Sequence, residues 1–275
     1  MKEVYVKKIL IVVGTIFFTL FVLAPVIWML FVSLTKDLGF LQGGGVNLTL
    51  SNYVNIISNK NLHMLDYLKN SIIISTTVSF LVIIIAGFGA YAITRFNFPG
   101  KFTIPLMMLA ISIFPQISIA GYLFKIESNL RLINTYPALI FPYTAWTAPL
   151  ALWILISYFS QIPRELDEAA LVDGASRKNI LLKIIFPLST PGLISAFLIV
   201  FIACINELLF ALLLTTDYRA QTISVGITLF QGLHGEIPWG ELMASASLVT
   251  VPLIILTLFL QKYIISGLTR GGVKE

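Results

Sequence analysis

The residues best spaced for chemistry lie in one charged stretch, SQIPRELDEAALVDGASRKNILLKIIFP, residues 160–187. Pro163 suits the first position of a helix, and Glu165, Asp167 and Glu168 follow it, where the helix dipole favours negative charge. The chemistry on offer is ion pairing and docking. Ala169, Ala170, Leu171 and Val172 continue this helix, and Gly174 is placed to end it in the left-handed conformation. Ser176 can cap a second helix over residues 177–186, which Pro187 is expected to stop. One face of the first helix, Leu166 with Ala169 and Ala170, is small and apolar, so another backbone can approach it closely. The helix can dock on a protein or rest on a lipid surface. Interfacial helices favour Lys and Arg beside large apolar residues, and this acidic, small-faced helix suits a protein cleft better.

Glu207 is the second candidate, read as the acid that falls inside an apolar run. A charge at that depth costs about 2.5–3.5 kcal/mol on insertion scales, so it should not face lipid. It can make a structural contact with Asn206 or a partner chain, line a pathway or gate, or sit high enough to meet water. Asn70 is expected to cap a helix, and the single cysteine, Cys204, to fill the core. His63 and His234 are far apart, and neither has Cys or carboxylate neighbours at zinc-ligand spacing, so no metal is assigned. Trp28, Trp146, Trp153 and Trp239 can form interfacial belts or stack on sugar rings. No nucleophile–base–orienter set is visible, and no phosphate-binding loop G-x-x-x-x-G-K-[ST] is present.

The elements that must position these residues are membrane helices. Of 275 residues, 57% are apolar and 11% charged, where a soluble domain carries about 25% charged residues. The mean hydropathy is +0.92. This excludes a disordered chain, a nucleic-acid-binding arm and an ordinary cytosolic enzyme. Long apolar runs cover residues 9–34, 71–93, 102–124, 136–159, 188–214 and 243–265, each near the ~20 residues that a bilayer crossing needs. The first run follows Lys2, Lys7 and Lys8; it is too long for a cleaved signal, so an uncleaved anchor helix is expected. Prolines 137, 142, 149, 191 and 252 lie within the runs, either as packing bends or as hinges. With six spans and the N-terminus inside, twelve of the eighteen Lys and Arg fall on the inner side. That bias supports cytoplasmic termini and an inner location for residues 160–187. The outer loops, 35–69 and 215–242, are long, and the first contains Gly43-Gly44-Gly45.

The spacing Glu168-Ala169-Ala170, Gly174, Ile184, Phe186-Pro187 resembles the EAA motif of ABC importer permeases. Asn70-Ser71, AYAITRFNFPGK at residues 90–101, INELLFALLLT at 205–215 and the tail QKYIISGLTRGGVKE resemble the maltose-type carbohydrate branch, in its shorter second permease. Phe186 stands where the family usually has Leu, and Ile205 where it commonly has Trp. The resemblance implies an all-α, polytopic permease of about six transmembrane helices, with the type I importer fold and a cytoplasmic coupling helix. It implies one permease domain over residues 1–275, with a core module at about 70–266 and the EAA loop at 160–187. Glu165, Glu168, Ala169, Ala170, Asp173, Gly174 and Pro187 would form the ATPase-coupling loop, and Asn206, Glu207 and Phe210 are candidates for the pathway or gate.

The implied partners are a second homologous permease, two ATPase subunits carrying ATP and Mg, an extracytoplasmic solute-binding protein, a sugar and the lipid bilayer. The chain itself would hold no cofactor, metal or nucleic acid and catalyse nothing, and would lie in the bacterial cell membrane. The alternative is a secondary transporter driven by an ion gradient. It would want inverted repeats and several membrane carboxylates, which are not seen in the sequence.

Overall fold

A computed structural model describes residues 2–36, 45–230 and 237–269. Gly43, Gly44, His234 and the tail from residue 270 lie outside the described residues. Described residues are helical almost throughout; the only paired extended backbone among them is an isolated bridge between Thr35 and Leu48.

Two compact units are present: Met1–Met64 with Ile227–Val251, and Leu65–Gly226 with Pro252–Glu275. The first contains α1 (Lys2–Ser33) and α2 (Ser51–Ser58). An 18-residue window of α1 buries nothing within the chain, as expected for a helix whose solvent is lipid or another subunit. Its end is nonetheless tied down. Asn52 donates from Nδ2 to the carbonyls of Ser33 at 2.9 Å and Thr35 at 2.8 Å.

The second unit is built on α3 (Met64–Arg95), α4 (Thr103–Ser112), α5 (Gln116–Asn129) and α6 (Tyr136–Phe159). The loop helix α7 (Glu165–Val172) follows, then α8 (Arg177–Ile180), a π-helical turn at Leu181–Ile185, and α9 (Phe186–Leu188). After these come α10 (Thr190–Ile205) and α11 (Leu209–Leu214), then α12 (Ile223–Leu229) and α13 (Trp239–Thr269), whose residues 227–229 and 239–251 belong to the first unit. Among the described residues four helices are long and apolar enough to cross a membrane, namely Lys7–Ser33, Met64–Arg95, Tyr136–Phe159 and Trp239–Tyr263. Two further crossings are bent pairs: α4 with α5 at 89°, and Arg177–Leu188 with α10 at 82°. Counting each bent pair once gives six.

Three expectations change. The run at 102–124 breaks at Pro115, which lacks an N–H and is itself extended, with φ −60° and ψ 122°. Pro187 does not stop its helix; the helix runs through it to Leu188 and turns at Ser189. The run at 188–214 is interrupted at residues 206–208, between α10 and α11. Conversely, Pro142 and Pro149 lie inside an unbroken α6.

Small residues and satisfied hydroxyls allow close packing. A Cβ on Gly192 of α10 would meet the Tyr158 ring of α6 at 2.4 Å, and one on Gly87 of α3 the Phe186 ring at 2.6 Å. Several hydroxyls within the spans bond back to their own helix, as Thr147 does to the Tyr143 carbonyl at 2.7 Å and Thr94 to Ala90 at 2.8 Å, whereas those of Ser75 and Thr144 have no partner among the described residues. Bonding back removes donors which lipid cannot satisfy.

Candidate functional site

The loop helix α7 ends as its sequence dictates. Gly174 has φ +81°. Its N–H donates to Leu171 at 3.0 Å, and that of Ala175 donates to Ala170 at 2.9 Å. Together they make a Schellman closure, which needs a residue free to adopt the left-handed region. Ser176 then caps α8, accepting from the Asn179 N–H at 3.3 Å.

The acids of α7 divide between two faces. Asp167 is buried, at 3% exposure, and turns inward with Ala170. Glu165, Glu168, Ala169, Asp173 and Gly174 are exposed, as are Leu166 and Val172. The small face therefore differs from the one read from sequence: Ala170 packs into the chain's own core, and Val172 joins Leu166 and Ala169 outside. Pro187 lies apart from these residues, in α9.

What holds α7 is the end of α3. The Asp167 carboxylate accepts from the Tyr91 hydroxyl at 3.2 Å and lies 3.1 Å from Arg95 Nε. Both ionic side chains are 4% exposed. Arg95 Nη2 donates to the Ile162 carbonyl at 3.1 Å, and Arg164 Nη2 donates to the Thr94 carbonyl at 2.8 Å. Arg177, opening α8, places its guanidinium 5.5 Å from the centre of the Phe96 ring, a cation–π distance. The Tyr91 and Phe96 rings meet edge to face at 6.1 Å. Both helices of the loop are thus fastened to one end of one span. Sequence reasoning assigned Asp167 to the helix dipole and missed this clamp. The available signal was Tyr91 and Arg95 one helical turn apart, on a single face.

The second cluster surrounds Glu207, which is buried at 5% exposure. It accepts from the Tyr143 hydroxyl at 2.6 Å, from the Phe210 N–H at 2.9 Å and from the Ala211 N–H at 3.2 Å. The carboxylate therefore caps α11, where the helix dipole favours it, and fastens the break to α6. Its contact is with Tyr143; Asn206 is exposed and donates to the Ile202 carbonyl at 2.8 Å. Asn70 is not a cap either, because α3 begins at Met64. Its Nδ2 donates to the carbonyls of Tyr218 at 2.8 Å and Gln221 at 2.9 Å, and its Oδ1 accepts from Tyr136 at 2.6 Å. Cys204 is buried, as a core residue should be.

Phe210, held by Glu207, walls a cavity of about 520 Å³ where the α4–α5 bend faces α6 and α11. Phe114, Trp146, Ser112 and Gln116 also line it. Gln116 Nε2 is buried and has no hydrogen-bond partner among the described residues. No cluster of three or more His, Cys, Asp or Glu suited to a metal occurs among them.

Residues 86–270 match the family model described as binding-protein-dependent transport system inner membrane component. The chain belongs to that family. The permease is 53% identical to the trehalose/maltose transport system permease protein MalG of Thermococcus litoralis, over all of this chain and 99% of the relative. It is 37% identical to the trehalose transport system permease protein SugB of Mycobacterium tuberculosis, covering 92% and 93% of the two chains. It is 32% identical to the diacetylchitobiose uptake system permease protein DasC of Streptomyces coelicolor, covering 77% and 76%. Its fold matches a chain of a bacterial ABC transporter involved in the import of the acidic polysaccharide alginate. That match has a TM-score of 0.79 at 19% identity and covers 96% and 98% of the two chains. The permease is thus a multi-pass membrane protein of the ABC importer class.

Proposed function

We propose that the permease is one half of the translocation pathway of an ATP-driven sugar importer, acting as a single domain beside a second, homologous permease. Sugar as cargo is favoured by the names of its relatives, which transport trehalose, maltose and diacetylchitobiose. The cavity at the α4–α5 bend suits such a cargo. Trp146 and Phe114 offer apolar ring surface to the C–H side of a sugar, with the buried Phe210 behind them, and the unpaired Gln116 amide offers a donor to a hydroxyl. In this reading Phe210 touches the pathway, Glu207 holds Phe210 in place, and Asn206 serves neither role.

The observation that carries the coupling role is α7, a short helix clamped to α3 with Glu165, Glu168, Ala169 and Val172 turned outward. This face seats in a cleft of a separate ATPase subunit. ATP and Mg bind there, since the chain has no phosphate-binding loop. Closure of two such subunits moves α7, and the clamp passes the displacement to α3. A solute-binding protein presents the sugar on the opposite side. Loaded binding protein and ATP shift the transporter between inward and outward states only through their differential affinity for the two. Both termini and the 160–187 loop lie on the cytoplasmic side of the cell membrane, as the basic residues indicate.

The test places a photo-cross-linker at Ala169 in intact membranes. Capture of a nucleotide-hydrolysing subunit is the expected result. Capture of phospholipid alone, from an otherwise assembled complex, overturns the reading.

A further inference from the structure

Beside the entry to α7 the second unit has another cavity, open on one side, of about 690 Å³. Its walls come from the end of α3, the start of α4, the last turns of α6 and residues 160–165. Lys101 and Arg164 line it together with Phe102, Leu106 and Trp153. These three apolar side chains are 78%, 56% and 44% exposed. Arg95 borders the cavity too, but its guanidinium is committed to Asp167 and the Ile162 carbonyl. Arg164 spends one donor on Thr94 and keeps its other N–H groups. Lys101 reaches Asn97 Oδ1 at 3.3 Å and lies over the Phe102 ring at 5.7 Å. Glu165 is the acid among the lining residues.

The position of the cavity narrows what fills it. Two membrane-crossing helices, α3 and α6, end here. Trp153 precedes the end of α6 at Phe159, about 9 Å deeper along the axis at 1.5 Å per residue. The cavity therefore spans the boundary between headgroups and hydrocarbon. A free anion would satisfy the two cations and leave the apolar floor bare. A lipid satisfies both, and basic pockets at this level suit anionic headgroups.

We propose that this cavity seats the phosphate headgroup of one anionic membrane lipid. Lys101 and Arg164 pair with the phosphate, and Phe102, Leu106 and Trp153 receive the upper part of the chains. Residues 163–165 are both cavity wall and the approach to α7, so an occupied site braces the base of the loop helix. The inference shares with the proposed function the placement of this end at the cytosolic leaflet.

The experiment takes the permease in its assembled complex, in nanodiscs of phosphatidylcholine containing phosphatidylglycerol. After detergent extraction, native mass spectrometry counts the lipids retained on the permease chain. One phosphatidylglycerol per permease is expected to persist. Lys101→Gln lowers its occupancy about fivefold, the effect of one basic group at a membrane surface. Lys178→Gln, at an exposed lysine outside the cavity, leaves it unchanged. Equal retention by wild type and Lys101→Gln overturns the proposal, as does a cross-link from Lys101 to an ATPase subunit in place of lipid. The count is read on the permease itself, so it is independent of whether Ala169 captures an ATPase.

Discussion

Replacing Asp167 by alanine tests how the loop helix is held. The substitution leaves the Arg95 guanidinium at 4% exposure without its counter-charge. Breaking a buried pair in this way costs about 3–5 kcal/mol. The lower end applies here. Arg95 Nε is not aligned to hydrogen-bond the carboxylate, and Arg95 keeps its bond to Ile162. Loss of the Tyr91 hydroxyl's acceptor adds about 1 kcal/mol. Together these come to ~4 kcal/mol, which shifts the docking equilibrium of α7 on the order of a thousandfold. An eight-residue helix has little stability alone, so the undocked segment unravels. The spans themselves are held by other packing and should persist. Trypsin reports the change, because Arg177 and Lys178 are exposed but folded into α8. Cleavage there in inside-out membranes should accelerate on the order of a thousandfold, since fast reclosure makes cleavage follow the open population. The double variant Asp167→Leu with Arg95→Met replaces the pair by apolar bulk and should recover most of the protection. If Asp167→Ala is cut no faster than wild type, or the double variant as fast as the single one, the clamp does not hold the loop.

Gly174→Pro forces φ from +81° to about −65° and removes the N–H that closes on Leu171; the ratio of sugar uptake to ATP hydrolysis in proteoliposomes should collapse, and a normal ratio contradicts the proposed transmission through α7. Glu207→Ala leaves the Tyr143 hydroxyl and two backbone N–H groups without their acceptor, at about 1–3 kcal/mol each. Membrane abundance on immunoblots should fall, and Glu207→Gln, which keeps one acceptor oxygen, should recover part of it. Gly192→Val pushes side-chain atoms into the Tyr158 ring, and the thermal midpoint of the purified permease should drop by the equivalent of about 1–3 kcal/mol. In the loop after α11, the Arg219 guanidinium, then Asn134 and the Arg219 N–H, hold Asp217 well below the usual carboxylate pKa. A lowered folded pKa stabilises fully above the unfolded value near ~4 and is lost as pH falls through the folded one. Loop protection from hydrogen exchange should therefore decline only below about pH 4, and Asp217→Asn should flatten that decline.

Apolarity and turn chemistry were legible in the chain, and direction was not. The run at 136–159 is α6 to the residue, because uninterrupted hydropathy and helical length coincide there. The Gly174 closure and the Ser176 cap were readable because each depends on neighbours within six residues. The bends at Pro115 and Ser189 escaped notice because a hydropathy window measures composition without orientation. Similar prolines at 142 and 149 leave α6 unbroken, so the residue type alone does not decide. Glu207 was recognised as costly, but its partner Tyr143 lies 64 residues away on another span, at a separation no local pattern reveals. Asp167 was obscured for the opposite reason: an acid in a first helical turn already has an adequate local explanation.

The π-helical turn at Leu181–Ile185 gives the segment between the loop and α10 one residue more than α geometry would use. Tightening that turn into regular helix would rotate everything on its far side by about 100° and slide it by about 1.5 Å. The Lys183 carbonyl would then face Pro187, which has no N–H to offer it and whose ring crowds it, so Pro187 favours the wider turn. Any rotation of Leu188 relative to Arg177 would have to pass through this turn, and the proline just beyond it sets how far the turn can tighten.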